Sequence, residues 1–298
     1  MKILIAGGTG LIGSRLVNYL ILQNHNVVIL SRNPLKHKNK FDSGVSFVDW
    51  QSNDIELLRN IDAVIKLSGE SVAQLWTKNV KKKILNSRID LSKDLLKFLK
   101  RNQINSNLLI NASAIGFYSK KSMNYDGEVN ENSHNGDSFL SEVCRLNEES
   151  CKIFQREGMR VIHLRIGMVL TPNFSLLIGL SLLFSIPIPG VKNHYFPWIH
   201  LDDVVGFIDY ALKKNLQGPF NLITPEPITH KDFYNTIRKH YRGIIPWILF
   251  MPTCIVKMIG DMSEMVLYGP KTTPKRTLES GYKFKFNELD AALKDISK

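Results

Sequence analysis

Three glycines near the start of the chain, Gly7, Gly10 and Gly13 in the run GGTGLIG, are spaced to hold a phosphate against backbone. Gly7 permits a tight turn, Gly10 lets the main chain approach a pyrophosphate, and Gly13 removes a side chain where a helix packs on a sheet. The N–H groups that open the following helix would then face the phosphates, which makes Gly7, Thr9, Gly10, Leu11, Ile12 and Gly13 candidate contacts. The residues about twenty positions on select the nucleotide. A free ribose 2′-OH is usually held by Asp or Glu there, whereas a 2′-phosphate is met by a base. This chain offers Ser31 and Arg32, with Lys36, His37, Lys38 and Lys40 behind them and no acid before Asp42. NADP(H) is therefore expected over NAD(H), the alternative being that Arg32 is a solvated loop charge.

Such residues work only if strands and helices bring them together. Ile3–Ala6 reads as a buried strand, a helix follows to about Gln23, and Val27–Ser31 is a second strand. Strand, glycine turn, helix and strand make the first half of a dinucleotide-binding fold. The alternation continues through strands at Val45–Trp50, Asp62–Leu67, Asn107–Ala112 and Met159–Val169. Helices are expected at Lys78–Asn102 and Phe139–Glu157, with a polar loop at Lys120–Asp137. This rhythm implies a parallel sheet covered on both faces. Leu67, Ser68, Gly69 and Glu70, at the end of the fourth strand, should approach the cofactor ribose.

Beyond Pro172 the rhythm changes. An apolar helix at Leu176–Leu183 and the proline-containing SIPIPG come first, then a helix to about Lys214 with Asp202 or Asp203 as N-cap. A strand at Gly218–Leu222 precedes a helix at Thr229–Tyr241, opened by a capping box of Thr229 and Asp232. A proline-marked, methionine-rich segment closes the chain, with a last helix at Glu288–Ile296. The expected fold is α/β, a doubly wound parallel (Rossmann) sheet with a smaller C-terminal substrate-side lobe. Residues 1–241 would form the NADP(H)-binding domain, with a substrate-side segment at 172–200, and residues 242–298 a small C-terminal domain.

The chain's 298 residues are enough for a large core, and a composition 44% hydrophobic and 22% charged is that of an ordinary globular protein. The net charge of +12 is less ordinary. Much of it lies in Lys36–Lys40, Lys78–Lys83 and Lys93–Arg101, without the aromatic interleaving of a single-strand binder, so a solvated basic surface is favoured over a nucleic-acid groove. Cys144 and Cys151 stand seven residues apart on one expected helix, about 10 Å at its usual rise, too far to bridge. Cys254 is alone and no zinc spacing occurs, which fits a reducing cytoplasm and no metal. The apolar stretches Phe174–Pro189 and Ile244–Gly260 are broken by prolines and fall short of the ~20 residues of a spanning helix. The expected partner is a small-molecule substrate, without membrane or nucleic acid, and a homodimer stays open.

GGTGLIG, LSGE at Leu67–Glu70, SAIGFY, LRIGMVL, PWIHLDDVV and NLITPEPIT together resemble the extended short-chain dehydrogenase/reductase superfamily. LWTKNVKKKILNSRI, FLSEVCRLNEE and RTLESGYKFKFNELDAAL are similar to its atypical branch, the epimerase family, subfamily 39U. The likeness runs over nearly the whole chain. It implies a Ser that orients a substrate oxygen, a Tyr that exchanges a proton with it, and a Lys one helical turn after the Tyr, whose ammonium makes the phenol usable near neutral pH. Ser113 fits the first role. At the places of the Tyr and Lys stand Phe139 and Val143.

Tyr118 could supply a phenol from the strand end, with Lys120 and Lys121 as basic neighbours, or pack as an aromatic. Tyr210 and Lys214 have the right spacing but lie on a later helix, a coincidence. His200 with Asp202 and Asp203 is better explained by capping and anchoring than by a metal or acid/base pair. Arg165 inside a strand needs an anionic partner if buried, and Arg88 could face substrate phosphate or solvent. The chain departs from the branch after the sixth strand, where it has few glycines, and at a helix Trp replaced by Leu146 or Asn147, so substrate identity does not carry over. The resemblance implies an NADP(H)-dependent oxidoreductase or epimerase-like enzyme for a small carbonyl, alcohol or nucleotide-sugar-like substrate. The alternative is a catalytically silent NADP(H)-binding sensor or interaction protein.

Overall fold

A computed structural model describes residues 1–41, 44–122, 127–172, 194–240 and 269–297. The expected helix at Leu176–Leu183, most of the substrate-side segment, Cys254 and the apolar stretch Ile244–Gly260 lie outside these. The described elements are, in order, β1 (Lys2–Ala6), α1 (Leu11–Leu22), β2 (Asn26–Leu30), α2 (Pro34–His37), β3 (Val45–Val48), α3 (Ile55–Leu58), β4 (Ala63–Lys66), α4 (Lys78–Arg101) and β5 (Leu108–Ala114). Then follow β6 (Glu128–Val129), α5 (Phe139–Ser150), α6 (Lys152–Arg156), β7 (Arg160–Ile166), β8 (Met168–Leu170) and β9 (Trp198–His200). The chain continues through α7 (Leu201–Leu212), β10 (Gly218–Leu222), α8 (His230–His240), β11 (Lys271–Thr272), α9 (Lys275–Glu279) and α10 (Leu289–Ile296).

Seven strands form one sheet in the order β10-β7-β5-β4-β1-β2-β3. Ile3 of β1 pairs with Val27 of β2 and Ala63 of β4, both in parallel, and β2–β3 and β4–β5 are parallel too. The order reverses direction between β1 and β4, the topological switch point at whose carboxyl side ligands bind in such sheets. β1 is buried from Ile3 to Ala6, as both-face coverage requires.

The described structure divides into two compact units, each drawn from several stretches of the chain. The first comprises Met1–Ser113, Arg145–Leu164 and Val204–Pro219. Its core joins Leu4, Val28, Val64, Leu95, Phe98, Leu109 and Phe154. The second comprises Ala114–Cys144, Arg165–Asp203 and Phe220–Lys298, with Leu170, Trp198, Phe233, Ile237 and Leu293 in its core.

Two elements differ from expectation for local reasons. The helix expected at Phe139–Glu157 breaks at Cys151, where Ser150 Oγ and Cys151 Sγ both donate to the Asn147 carbonyl, at 2.7 and 3.5 Å. Such side-chain bonds compete with the helical ladder. The strand expected at Met159–Val169 divides at Gly167, after which β8 leaves to pair in parallel with β9. A Cβ at Gly167 would come within 2.7 Å of the Pro197 carbonyl oxygen, so only glycine permits that approach.

Candidate nucleotide site and substrate-side residues

Gly7 has φ +97°, a conformation side chains rarely adopt, and a Cβ there would lie 2.7 Å from the Ser68 amide nitrogen. The expected turn off β1 is thus present, braced against the loop after β4. At Gly13 a Cβ would meet the Gly7 carbonyl oxygen at 2.1 Å and Gly8 Cα at 2.8 Å. The close approach that forces glycine at position 13 is therefore to the turn itself, not to the sheet. Gly10 differs, since a Cβ there would have only Gly7 O within 4 Å, at an ordinary 3.5 Å. The protein's own packing does not demand glycine at position 10. Gly10 is also the N-cap of α1, with no side chain capping it and no acid in the first turn. The helix start thus presents amide donors and positive dipole to the space before it.

Within the first unit a cavity of about 1310 Å³ opens beside this turn. Of the predicted cofactor residues, Gly7, Thr9, Gly10, Ser31, Arg32, Leu67, Ser68, Gly69 and Glu70 line it. Leu11, Ile12 and Gly13 stand outside the lining, in the first turn of α1. Ser31 Oγ accepts from the Asn33 amide at 3.2 Å, shaping the bend that carries Arg32, Asn33, Lys36 and His37 into the cavity wall.

The loop after β4 is held by α4. The Glu70 amide donates to Ser87 Oγ at 3.0 Å, and Arg88 donates through Nη1 to the Glu70 carbonyl at 3.1 Å. The Arg88 guanidinium lies 3.1 Å from where a Gly69 Cβ would be, so the small residue lets the arginine fold over the loop. Arg88 thereby anchors the loop after β4 to α4. Glu70 Oε1 accepts from Gln74 Nε2 at 3.2 Å.

The sequence reading missed part of the lining. Asn79, Lys82, Lys83, Asn86, Ser87, Asp90, Leu91 and Asp94 of α4, with Trp50 after β3, also line the cavity. A signal was available, because positions 79, 82, 83, 86, 90 and 94 recur at three and four and so share one helix face.

Ser113 stands at the carboxyl end of β5, and its Oγ donates to Glu148 Oε1 of α5 at 2.8 Å. Ser113 is absent from the lining of the cavity described above. Tyr118 is 5% exposed, and its hydroxyl donates to Asn221 Oδ1 at 2.9 Å while accepting from Arg165 Nη1 at 2.8 Å. Burial pushes its pKa up to about 12, against the lowering pull of Arg165. A phenol so placed is a poor proton donor or acceptor near neutral pH, and the expected lysine neighbour is replaced by Arg165, since Lys121 pairs with Asp137 at 2.7 Å. Arg165 also stacks 3.5 Å over the Phe117 ring centroid, a cation–π contact.

Val143 is buried within α5, so the lysine expected one turn into that helix has no substitute at that position. Lys214 Nζ lies over the Tyr210 ring, 5.5 Å from its centroid.

His200 precedes α7, which begins at Leu201, and its Nδ1 accepts from the Asp202 amide at 3.1 Å. Asp203 is not the N-cap expected. Its buried carboxylate accepts from the Lys285 and Phe286 amides at 2.6 and 3.0 Å, tying the chain before α10 to α7. Nε2 of His200 lies 3.5 Å from Asp295 Oδ2, and with Asp202 these are the groups among the described residues that could meet at a metal. Lys285 Nζ already stands 3.2 Å from Asp202 Oδ2, supplying positive charge there.

One buried group gave no sequence signal. Lys66, 1% exposed in β4, donates through Nζ to Ser92 Oγ at 2.7 Å and Asn147 Oδ1 at 2.9 Å, with Cys151 Sγ at 4.0 Å. Burial lowers its pKa to about 8.

A parallel sheet in this order, with a glycine turn leading from its first strand into a cavity at the switch point, defines a Rossmann-type nucleotide fold of the extended short-chain dehydrogenase/reductase kind. Within that class, the model of the NAD dependent epimerase/dehydratase family matches residues 3–222, and that of a domain of unknown function, DUF1731, matches residues 251–296. The chain belongs to the NAD dependent epimerase/dehydratase family. Epimerase family protein YfhF of Bacillus subtilis is 30% identical over 308 residues, covering 99% of this chain and 98% of its own. Epimerase family protein SSP1921 of Staphylococcus saprophyticus is 31% identical over 311 residues, covering 98% of each.

Among solved structures, human epimerase family protein SDR39U1 (isoform 2) with NADPH superposes with a TM-score of 0.79 at 28% identity, covering 100% of this chain and 99% of that one. The nucleoside-diphosphate sugar epimerase of Corynebacterium glutamicum gives 0.74 at 25% identity, covering 100% of this chain and 58% of that one. The resemblance seen in the motifs is thus a family relationship. No helix among the described residues is long and apolar enough to cross a membrane.

Proposed function

We propose that this chain binds NADP(H) in the cavity of its first unit and acts as an oxidoreductase or epimerase-like enzyme on a small carbonyl, alcohol or nucleotide-sugar-like substrate. The observation that carries the reading is one cavity wall joining the phosphate turn, Gly7, Thr9 and Gly10, to Ser31, Arg32 and Lys36 at the end of β2. The human relative solved with NADPH supports the same choice. When bound, the nicotinamide supplies hydride chemistry, and the protein has to bind, orient and manage a proton. Ser113 has its own proton directed to Glu148 Oε1, so its oxygen lone pairs remain to accept from a substrate hydroxyl, with the carboxylate as the next acceptor. Tyr118 drops from the acid/base role because both sides of its hydroxyl are taken up by Asn221 and Arg165.

Calorimetric titration of the full chain with NADPH and NADH, on wild type and Arg32→Ala, tests the cofactor reading. NADPH should bind more tightly than NADH, and Arg32→Ala should remove most of the difference. A carbonyl and alcohol screen with Ser113→Ala as control tests the chemistry. Binding of neither nucleotide would refute the whole reading. NADPH binding with no turnover anywhere in the screen would favour the second reading, a silent NADP(H)-binding protein, which the Val143 and Tyr118 environments support.

A further inference from the structure

The N-terminal end of α4 is built against helix stability. Lys78, Lys81, Lys82 and Lys83 crowd its first turns, which contain no acid, although the macrodipole there favours carboxylates. Thr77 caps the helix through the Val80 amide, at 3.3 Å, but neutralises none of this charge. Two of the lysines, Lys82 and Lys83, lie on the polar stripe that faces the cavity, flanked by the amide side chains of Asn79 and Asn86. The core-facing side of the same helix is Ile84, Ser92, Leu95, Phe98 and Leu99. Arg32 and Lys36 line the same cavity. The acids on the stripe come later, and lysines outside the lining approach them, Lys93 at 4.0 Å from Asp90 and Lys97 at 3.9 Å from Asp94. Positive charge from two segments some fifty residues apart therefore lines a single cavity.

We propose that Lys82 and Lys83 form the second wall of a phosphate clamp whose first wall is Arg32 and Lys36, so that selection of a 2′-phosphorylated adenosine is set from both sides. The inference rests on the nucleotide reading above. Ammonium groups on flexible stems suit this role, since they act as movable point charges on a dianion, while the arginine supplies a fixed fork.

The test is calorimetry of the full chain with 2′,5′-ADP, 5′-ADP and NADPH. The proteins are wild type, Lys82→Ala/Lys83→Ala, Lys82→Arg/Lys83→Arg, and Lys100→Ala/Lys152→Ala. The last loses the same net charge from residues outside the cavity lining. The alanine pair should weaken 2′,5′-ADP and NADPH about tenfold and 5′-ADP less than about twofold, as two partly screened cation–phosphate contacts require. The arginine pair should keep the selectivity, and the remote control should stay near wild type. Equal loss for both diphosphates, equal loss in the remote control, or undiminished preference for 2′,5′-ADP would overturn the clamp while wild-type NADPH binding kept the nucleotide reading intact. Failure of wild type to bind NADPH and 2′,5′-ADP would overturn both.

Discussion

Replacing Lys66 by Met should stabilise the protein at neutral pH, and the gain should disappear in alkali. The ammonium of Lys66 is surrounded by neutral groups, the Ser92 hydroxyl, the Asn147 amide oxygen and the Cys151 thiol, which burial pushes upward in pKa and so keeps protonated at pH 7. Burial lowers the Lys66 pKa from 10.5 to about 8, with the nearby Arg88 charge acting in the same direction. Each tenfold change in proton affinity is worth about 1.4 kcal/mol, so the folded state carries a cost of roughly 3 kcal/mol wherever the lysine is charged in both states.

The sign follows from proton counting. Below pH 8 both states hold the proton and the full cost applies. Between 8 and 10.5 the unfolded chain holds more protons, so wild-type stability rises with pH. Methionine fills nearly the same volume without charge, but it leaves Asn147 Oδ1 without this donor, a loss of about 1–2 kcal/mol. The expected net gain at pH 7 is therefore about 1–2 kcal/mol. Urea unfolding at pH 7, 8, 9 and 10 measures it. The stability of wild type minus that of Lys66→Met should climb by roughly 3 kcal/mol over the whole window and change sign within it. The raised pKa of Tyr118 acts in both proteins and drops out of the difference. A difference independent of pH would refute the buried-ammonium argument.

Three further outcomes follow from the same reasoning. Tyr118→Phe removes the hydroxyl between Arg165 and Asn221 and should cost about 1–3 kcal/mol by denaturant unfolding, with NADPH affinity unchanged. His194 and His230 stack with ring centroids 4.8 Å apart, and burial lowers both pKa values to about 4. Their contribution, present above the usual 6.5, should be lost as pH falls towards 4, and a His194→Phe/His230→Phe double variant should flatten that part of the stability profile. Gly13→Ala puts a methyl 2.1 Å from the Gly7 carbonyl, so the turn must move. Thermal melts should show a loss of about 1–3 kcal/mol together with weakened NADPH binding, and an unchanged titration would mean that the turn's shape does not matter.

What was legible in the sequence was local. The glycine turn, β1, α1 and β2 fall within one or two residues of their expected bounds because each is fixed by neighbours in the chain, through apolar periodicity, a missing Cβ or a helix start. The basic end of β2 was legible for the same reason. Features set by distant partners were not. Tyr118 meets Asn221 across 103 residues and Arg165 across 47, and no spacing rule could distinguish that buried role from a catalytic one. Lys66 looked like the last position of a buried strand, and its burial as a charged residue depended on Ser92 and Asn147 arriving from two helices. The α4 wall was missed differently. Its periodicity was present, but a polar stripe on a helix usually faces water, and only the location of β2 turned it into a cavity wall.

That last point bears on how the two halves of the chemistry relate. A Tyr–Lys pair lowers a phenol's pKa by placing an ammonium beside it, and this chain has a phenylalanine and a buried valine at those positions. If the nucleotide site had lost its purpose along with that pair, a helix start crowded with like charges would be an uncompensated cost. Those charges are present in full. On the proposed reading an anionic ligand would offset that charge, and a serine hydroxyl directed at a carboxylate would handle the proton in place of a phenol tuned by a cation. A hydroxyl backed by Glu148 can take a proton onward without any shift in its own pKa. Glu148→Gln, which keeps the shape and removes the acceptor charge, should slow any Ser113-dependent turnover about as much as Ser113→Ala does, while leaving NADPH affinity within about twofold of wild type.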